Sequence, residues 1–227
     1  LIGFPLTHSF SKKYFEEKFE QEKIRTCSYE LFALKIIDEF PALLKSNPDL
    51  AGINVTIPYK ESVIQFLDEM DDVAVKIGAV NCIRFQNGKL KGYNTDAYGF
   101  ENSLSQFLTL TPKQVFVLGT GGSSKAVCFV LKKMKLPFLK VSREIKADYI
   151  SYESISSKLK SSNLFINTSP VGMFPNVNEA PKIPFEKLCK NDFLFDLVYN
   201  PNETLFLKTG KGMGCQTKNG LEMLALQ

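Results

Sequence analysis

The sequence has few of the side chains that metal and disulfide sites need. It has a single histidine, His8, and five widely spaced cysteines, at positions 27, 82, 128, 189 and 215. An odd number of scattered cysteines with no Cys-x-x-Cys pair does not build a disulfide framework or a zinc site. We therefore predict no metal and a reducing, cytoplasmic location.

Long apolar runs and blocks of basic residues are also missing. No stretch approaches the ~20 apolar residues of a membrane-spanning helix, and no signal-peptide pattern is visible. The net charge of +4 is spread along 227 residues, which favours small anions over nucleic acid. With 44% hydrophobic and 23% charged residues, we expect a soluble protein of one large or two modest domains without nucleic-acid or membrane partners.

The stretch 52–60, Gly-Ile-Asn-Val-Thr-Ile-Pro-Tyr-Lys, predicts a strand with two hydrogen-bonding side chains on one face. Side chains alternate along a strand, so its three apolar residues share one face while Asn54 and Thr56 share the other. Pro58 lacks an N–H and is expected to end the strand at residue 57. Lys60 then follows the strand tip, where open sheets bind ligands. A half-buried strand with a surface lysine is the alternative.

Two serines precede the first predicted helix, Lys12 to Glu22. Ser11 fits a helix N-cap. A hydroxyl at Ser9, beside a helix N-terminus, is well placed to hold a carboxylate or a polyol. We interpret His8 as a turn residue rather than a general base, because the sequence identifies no triad partner for it.

The rest of the first half alternates strands and helices, the pattern of an α/β sheet. Asn87-Gly88 is a strong hairpin signal, and the hairpin is expected to bring Asn81 and the run Asn94-Thr95-Asp96 toward one end of the domain. Asn94 and Asp96 also fit a turn and a cap before a helix near Tyr98. The predicted elements are a strand at 28–32, helices at 38–45 and 61–70, and hairpin strands at 79–85 and 89–93.

The pattern restarts at the buried strand 114–118, which leads into Gly119-Thr120-Gly121-Gly122-Ser123-Ser124 and a helix through Met134. Glycines at 119 and 121 allow a tight turn and a close approach to a pyrophosphate at the helix N-terminus. Ser124 replaces the third glycine of the dinucleotide fingerprint. A glycine-rich turn without a ligand is the alternative.

The next strand, 138–141, is expected to end where the adenosine ribose of a dinucleotide lies. Arg143 can pair with a 2′-phosphate, which favours NADP over NAD. Glu144 can take the acidic role that is typical of NAD enzymes, so both cofactors stay open at this point. Strands at 164–167 and 193–198, separated by the proline-rich connection 174–184, continue a doubly wound order.

Taken together, the motifs resemble the shikimate dehydrogenases of the shikimate/quinate dehydrogenase superfamily over nearly the full length. They stand in family order as His8-Ser9-Phe10-Ser11, Asn54-Val55-Thr56-Ile57-Pro58-Tyr59-Lys60, Gly78-Ala79-Val80-Asn81, Asn94-Thr95-Asp96-Ala97-Tyr98-Gly99, Gly119-Thr120-Gly121-Gly122, Asn167-Thr168 with Gly172-Met173, Tyr199-Asn200-Pro201, and Asn219-Gly220-Leu221-Glu222. The resemblance implies reversible NADPH-dependent reduction of 3-dehydroshikimate to shikimate, in the chorismate route to aromatic amino acids.

The resemblance also implies roles for individual residues. Lys60 would be the general acid that protonates the forming alkoxide, with Asp96 as its partner. The implied substrate-binding residues are Ser9, Ser11, Asn54, Thr56, Lys60, Asn81, Asp96, Tyr199 and Gln227. The implied cofactor-binding residues are Gly119, Thr120, Gly121, Gly122, Ser123, Ser142, Arg143, Thr168, Leu197 and Gly220. The family usually has Asn-Arg-Thr where this chain has Ser142-Arg143-Glu144, which weakens the expected preference for NADP over NAD.

We expect two domains with a cleft between them at the carboxyl ends of both sheets. Residues 1–97, completed by about 216–227, form an α/β substrate-binding domain, and residues 98–215 form a doubly wound Rossmann NADP-binding domain. The protein is expected to be a monomer or homodimer, and further residues are expected before Leu1 and after Gln227. Alternatives are a quinate/shikimate dehydrogenase that prefers NAD, and a non-catalytic dinucleotide-binding regulatory protein. A methylene-tetrahydrofolate dehydrogenase fits the motifs less well.

Overall fold

The computed structural model describes residues 1–6, 10–144 and 148–227. Its contacts divide the chain into two compact units, Leu1–Asn94 and Thr95–Gln227. Within the described residues, every helix is too short or too polar to cross a membrane.

The first unit contains short strands in two small sheets. Strand β1 pairs in parallel with β2, and four further strands form a mixed sheet in the order β3-β5-β6-β4. An isolated bridge between Ile2 and Val55 links the two sheets. The elements are β1 Ile2–Gly3, α1 Ser11–Gln21, β2 Phe32–Ala33, α2 Phe40–Ser46, β3 Gly52–Asn54, β4 Glu69–Met70, α3 Asp72–Ile77, β5 Cys82–Gln86 and β6 Lys89–Tyr93.

The predicted hairpin is confirmed. Strands β5 and β6 pair antiparallel, with Cys82 opposite Tyr93 and Gln86 opposite Lys89. Asn87 and Gly88 both have positive φ, 53° and 75°, as a two-residue turn that matches the strand twist requires. The hairpin therefore fixes the position of Asn81, just before β5.

The strand predicted over 52–57 is shorter than expected. It ends at Asn54, because the chain then turns to pair with β1: Thr56 N donates to Ile2 O at 2.9 Å, and Phe4 N donates to Ile57 O at 3.0 Å. The expected alternation consequently fails at its end. Ile53 is buried as predicted, whereas Ile57 is 46% exposed.

The helix predicted over 61–70 is wrong. Residues Ser62–Phe66 form a 3₁₀ turn, and β4 follows, with Met70 paired in parallel to Gly92 of β6. Asp68 directs the chain into the sheet, because its N–H donates to Leu90 O and its carboxylate accepts from Leu90 N. The helical spacing of apolar residues arose from a turn and a strand that contact the same core.

Other boundaries in the first unit also differ. Only Phe32 of the strand predicted over 28–32 lies in a strand, β2. The helix predicted over 38–45 is a 3₁₀ turn, Ile37–Glu39, followed by α2, which has Pro41 in its first turn. Asp38 makes no capping bond. The N-cap interpretation of Ser11 is wrong, because Phe10 is the N-cap and Ser11 is the first helical residue.

The second unit is built on a six-stranded sheet in which every strand is parallel to its neighbours. The order is β9-β8-β7-β10-β11-β12. Counted within this unit it is 3-2-1-4-5-6, the order of a Rossmann fold, so the predicted doubly wound sheet is confirmed. The elements are α4 Asp96–Phe107, β7 Gln114–Leu118, α5 Gly122–Lys133, β8 Phe138–Val141, β9 Tyr149–Ile150, β10 Asn163–Asn167, β11 Phe193–Asp196, α6 Leu205–Gly212, β12 Gln216–Lys218 and α7 Leu221–Leu226.

Aromatic side chains fill the core of this sheet. Phe116 of β7 stacks on Phe165 of β10, with ring centroids 4.8 Å apart, and both are fully buried. Phe100 of α4 packs edge-on against Phe195 of β11 at 5.3 Å. Each such ring contributes about 1.5–3 kcal/mol by burial. Almost every residue of β7, β10 and β11 is buried, and strands buried on both faces are near-continuous apolar runs. These strands were therefore predicted well.

The C-terminal residues belong by contact to the second unit. Strand β12 pairs with β11, and α7 packs on α4 so closely that a Cβ on Gly99 would lie 2.5 Å from Met223 O. The domains predicted as 1–97 with 216–227, and 98–215, therefore have other bounds than these compact units. As a division of function they stay a prediction.

Candidate active site

Four predicted substrate-binding residues of the first unit lie on two adjoining segments, 54–60 and 79–81. Asn54 ends β3 opposite Cys82. Beyond it, Val55 N donates to Asn81 O at 2.8 Å, and Val80 N donates to Lys60 O at 2.7 Å. The structure thus brings the segment that carries Asn54, Thr56 and Lys60 alongside the segment that carries Asn81.

Buried anchors fix the segment that carries Lys60. Tyr59 is 5% exposed, its hydroxyl donates to Leu34 O at 2.7 Å, and burial raises its pKa. A Cβ on Gly3 would run into the side chain of Thr56, so only glycine at this position allows Thr56 its place beside β1. Lys60, which follows Tyr59 directly, is half-buried.

Hydrogen bonds from Asn94 and to Tyr93 hold the segment 79–81 in place. Asn94 is 6% exposed, and its Nδ2 donates to Ala79 O at 2.9 Å. Asn81 is also 6% exposed, and its N–H donates to Tyr93 O at 3.0 Å. The backbone that presents Asn81 is therefore held from the hairpin side as well.

Of the two serines predicted to bind the substrate, only Ser11 lies in the described part of the chain. Ser11 begins α1 and is half-buried. Ser9 lies outside the described residues, as does His8, so their predicted roles stay predictions.

In the second unit, two further predicted substrate residues lie near the start of α4. Asp96 is the first residue of this helix and is 2% exposed. Gly99 lies about one helical turn further on, and a Cβ there would lie 3.1 Å from Cγ of Gln227. Asp96 and Gln227 therefore share one end of α4. Lys60 belongs to the first unit, and its pairing with Asp96 stays a prediction.

The predicted cofactor residues lie at one edge of the Rossmann sheet. Four of them directly follow the carboxyl ends of four neighbouring strands. They are Gly119 after β7, Ser142 after β8, Thr168 after β10 and Leu197 after β11. Backbone bonds continue the sheet there: Gly119 N donates to Val141 O, Thr168 N to Leu118 O, and Leu197 N to Asn167 O. This carboxyl edge is where open parallel sheets bind ligands.

The glycine turn is closely packed at Gly119 and open at Gly121. Gly119 has φ +125°, and a Cβ on it would lie 2.6 Å from Oγ1 of Thr168. A Cβ on Gly121 would meet nothing within 4 Å, so this glycine leaves open space beside the backbone. Gly121 is the N-cap of α5, without a side-chain capping bond. Thr120 lies between these glycines, and Gly122 and Ser123 form the first turn of α5, where the helix dipole favours an anion.

The end of β8 presents the residues predicted for the 2′-phosphate. Ser142 is 8% exposed, and its Oγ accepts from Glu144 N at 3.0 Å. Arg143 and Glu144 are both exposed. Burial raises the pKa of Tyr152, and the positive charge of Arg143 acts against this shift.

A buried carboxylate at this edge was missed in the sequence. Asp196, at the end of β11, accepts from Asn167 Nδ2 at 3.0 Å, from Val198 N at 3.0 Å and from Thr204 Oγ1 at 2.6 Å. Burial raises its pKa to about 7, against the lowering effect of these bonds. Because Asn167 precedes Thr168 and Asp196 precedes Leu197, the carboxylate ties together the two strand ends that carry predicted cofactor residues.

The last predicted residues lie beside this network. Gly220 N donates to Val198 O at 3.2 Å, and a Cβ on Gly220 would run into Leu197 O. Tyr199 is half-buried, and burial raises its pKa. Leu197, Tyr199 and Gly220 therefore come from two segments in direct contact.

Comparisons with known proteins give the family. Residues 1–83 match the shikimate dehydrogenase substrate binding domain. The whole chain is 38% identical to the shikimate dehydrogenase (NADP(+)) of Caldanaerobacter subterraneus, of which it covers 87%. The chain belongs to the shikimate dehydrogenase family. It is also 40% identical to the shikimate dehydrogenase (NADP(+)) of Clostridium beijerinckii, again covering 87%.

A crystal structure of the family shows the same fold. The shikimate 5-dehydrogenase of Thermus thermophilus, in complex with NADP(H) and shikimate, is 30% identical. It superposes with a TM-score of 0.85 over 99% of this chain and 87% of that one. As in the shikimate dehydrogenases it resembles, this chain has an α/β fold with a Rossmann-like sheet.

Proposed function

We propose that the protein is an NADP-dependent shikimate dehydrogenase that reversibly reduces the 3-keto group of 3-dehydroshikimate to the hydroxyl of shikimate. The observation that carries this proposal is the 38% identity, over the whole chain, to a shikimate dehydrogenase (NADP(+)). The gathering of Asn54, Thr56, Lys60 and Asn81 on two adjoining segments of the first unit supports it.

Lys60 is proposed as the general acid. As the keto group is reduced, negative charge grows on its oxygen, and the ammonium at Nζ both stabilises this charge and supplies the proton. In the reverse direction the neutral amine takes the proton back. Asp96, as a neighbouring carboxylate, would keep the lysine charged and directed at the oxygen.

The remaining polar side chains are proposed to bind and orient the substrate. Asn54, Thr56 and Asn81 would hold ring hydroxyls, and Ser9 and Ser11 would hold the carboxylate. Tyr199 and Gln227 would complete the substrate site. Binding several polar groups at once fixes the carbon that is reduced, which lowers the entropic part of the barrier.

The glycine turn and the carboxyl edge of the Rossmann sheet fit NADP. NADPH, when bound, supplies the hydride. Gly119, Thr120, Gly121, Gly122 and Ser123 would hold the pyrophosphate, since the turn leaves open space at Gly121 before a helix N-terminus. Ser142 and Arg143 would hold the 2′-phosphate, and Thr168, Leu197 and Gly220 the nicotinamide half.

An initial-rate assay tests the proposal. The purified protein is expected to reduce NADP⁺ in the presence of shikimate, with kcat/KM well above that for NAD⁺ or for quinate. Absence of shikimate turnover, with NADP⁺ still bound, would instead support a dinucleotide-binding regulatory protein. A higher kcat/KM with NAD⁺ or quinate would support the quinate/shikimate alternative. Of these two preferences, the acidic Glu144 beside Arg143 bears only on NAD.

Location and assembly are further parts of the proposal. All five cysteines are free, which supports the cytoplasm because disulfides form in oxidising compartments. The product is proposed to feed chorismate and aromatic amino-acid synthesis. A monomer or homodimer stays a prediction, which light scattering would test.

A further inference from the structure

A tyrosine outside the resemblance motifs contacts two parts of the first unit that carry predicted substrate residues. Tyr29 lies between α1 and β2 and is half-buried. Its hydroxyl donates to Oδ1 of Asn54 at 2.9 Å. Its ring stacks on Phe15 of α1, with centroids 4.5 Å apart and planes 10° from parallel. Phe15 lies one helical turn after Ser11, so Tyr29 joins the helix that begins with Ser11 to the side chain of Asn54.

In the structure, the bond to Tyr29 uses the acceptor end of the Asn54 amide. A primary amide has an acceptor oxygen and a donor NH₂ group, and rotation by 180° exchanges them. A hydroxyl that donates to Oδ1 stabilises one of these two orientations. Nδ2 is then the end of the amide that can donate to a substrate oxygen.

Neighbouring contacts connect the segment that carries Tyr29 to α1 and support the ring on which Tyr29 stacks. Glu30 forms an ion pair with Lys12 of α1 at 2.8 Å, and Phe15 packs against Phe19 one turn further along the helix. The ring is therefore positioned by α1, and its hydroxyl needs no large rearrangement to reach Asn54. Preorganisation of this kind lowers the entropy cost of binding.

We propose that Tyr29 is a positioning residue for the substrate, which orients the Asn54 amide so that Nδ2 donates to a ring oxygen of shikimate. The inference rests on the proposed function and adds a residue to it. Tyr29 acts through Asn54 and contributes to substrate affinity rather than to the proton transfer.

The test is a double-mutant cycle of Tyr29→Phe and Asn54→Ala. Tyr29→Phe keeps the ring stack and removes only the hydroxyl. It is expected to raise KM for shikimate about fivefold, the factor equivalent to about 1 kcal/mol for one hydrogen bond, while kcat and KM for NADP⁺ change little. In the Asn54→Ala background the same substitution is expected to have no further effect on KM for shikimate.

Tyr14→Phe is the matched control. Tyr14 belongs to the same aromatic cluster, edge-on to Phe15 at 5.4 Å, and its loss of a hydroxyl is expected to leave KM for shikimate unchanged. An unchanged KM in Tyr29→Phe, or an equal rise with and without Asn54, would overturn the inference while the proposed function stands. A wild-type protein without shikimate turnover would overturn both.

Discussion

The two compact units present their predicted site residues in different ways. In the first unit these residues are polar side chains, such as Asn54 at the end of a strand only three residues long and Lys60 in the segment beyond it. In the second unit they are mostly small residues at the carboxyl edge of a buried parallel sheet, such as Gly119 and Thr168. The first unit therefore depends on the chemistry of individual side chains, and the second on the shape of its backbone.

The difference is consistent with two kinds of ligand. A pyrophosphate is held by backbone N–H groups and a helix dipole, for which glycine allows close approach. A ring with several hydroxyls needs separate donors and acceptors in fixed positions. Substitutions of the polar site residues of the first unit should therefore affect turnover and substrate affinity, while those at the glycine turn and at the end of β8 should affect cofactor affinity.

The largest expected effect is on turnover, from Lys60→Ala. Loss of the proton donor is expected to lower kcat by roughly 10²–10⁴-fold, with a much smaller change in KM for shikimate. Initial rates at saturating shikimate and NADP⁺ measure it. Lys76→Ala, at an exposed position in the last turn of α3, is the control. Near-normal kcat in Lys60→Ala would exclude Lys60 as the proton donor.

Arg143→Ala sharpens the comparison on the cofactor side. A charge-assisted bond to the 2′-phosphate contributes about 1.5–3 kcal/mol, so KM for NADPH is expected to rise about 10- to 150-fold. KM for NADH, which has no such phosphate, is expected to stay unchanged. Arg84→Ala, an exposed arginine of β5, controls for loss of positive charge. Equal rises for both cofactors would contradict the assignment.

A smaller effect is expected from one methyl group at the glycine turn. A Cβ on Gly121 meets no protein atom within 4 Å, so Gly121→Ala is expected to fold with an unchanged Tm. If a pyrophosphate occupies that space, KM for NADPH is expected to rise roughly tenfold, about 1.4 kcal/mol. Gly212→Ala in α6, where a Cβ also meets nothing within 4 Å, is the control. Unchanged cofactor affinity would place the pyrophosphate elsewhere.

The last expected effect is on stability rather than on binding, and concerns its pH dependence. Burial raises the pKa of Asp196 from 3.8 to about 7, so between these values the folded protein holds a proton that the unfolded chain has released. The free energy of unfolding therefore falls as pH rises from about 4 to about 7, by up to about 1.4 kcal/mol per pH unit from this group. Denaturant unfolding across this range should show a shallower decline in Asp196→Asn than in wild type.

Asp49→Asn, at an exposed position, is the control for that series. It is expected to keep the wild-type pH profile. A profile for Asp196→Asn identical to that of wild type would mean that Asp196 is ionised in the folded protein at lower pH.

Sequence patterns predicted the second unit better than the first for a physical reason. The strand of residues 114–118 and its glycine turn are local signals, because a buried parallel strand is apolar throughout and a tight turn needs glycine. The strand that starts at Glu69 depends on hydrogen bonds between Asp68 and Leu90, 22 residues away, which no local periodicity reveals. Its apolar spacing therefore predicted a helix.

The same limit applies to the site. Lys60, Asn54 and the glycines were found through motifs, since their spacing along the chain is short. The bond from Tyr29 to Asn54 spans 25 residues, and that from Asn167 to Asp196 spans 29. These supporting contacts come from strands and loops that adjoin only in the folded protein.

The most direct test is a calorimetric titration of NADP⁺ into Lys60→Ala and Gly121→Ala. It shows whether the glycine turn binds the cofactor while Lys60 serves only the reaction of the substrate. We expect a wild-type Kd for Lys60→Ala and a roughly tenfold higher Kd for Gly121→Ala. An equal loss of NADP⁺ affinity in both variants would contradict this expectation.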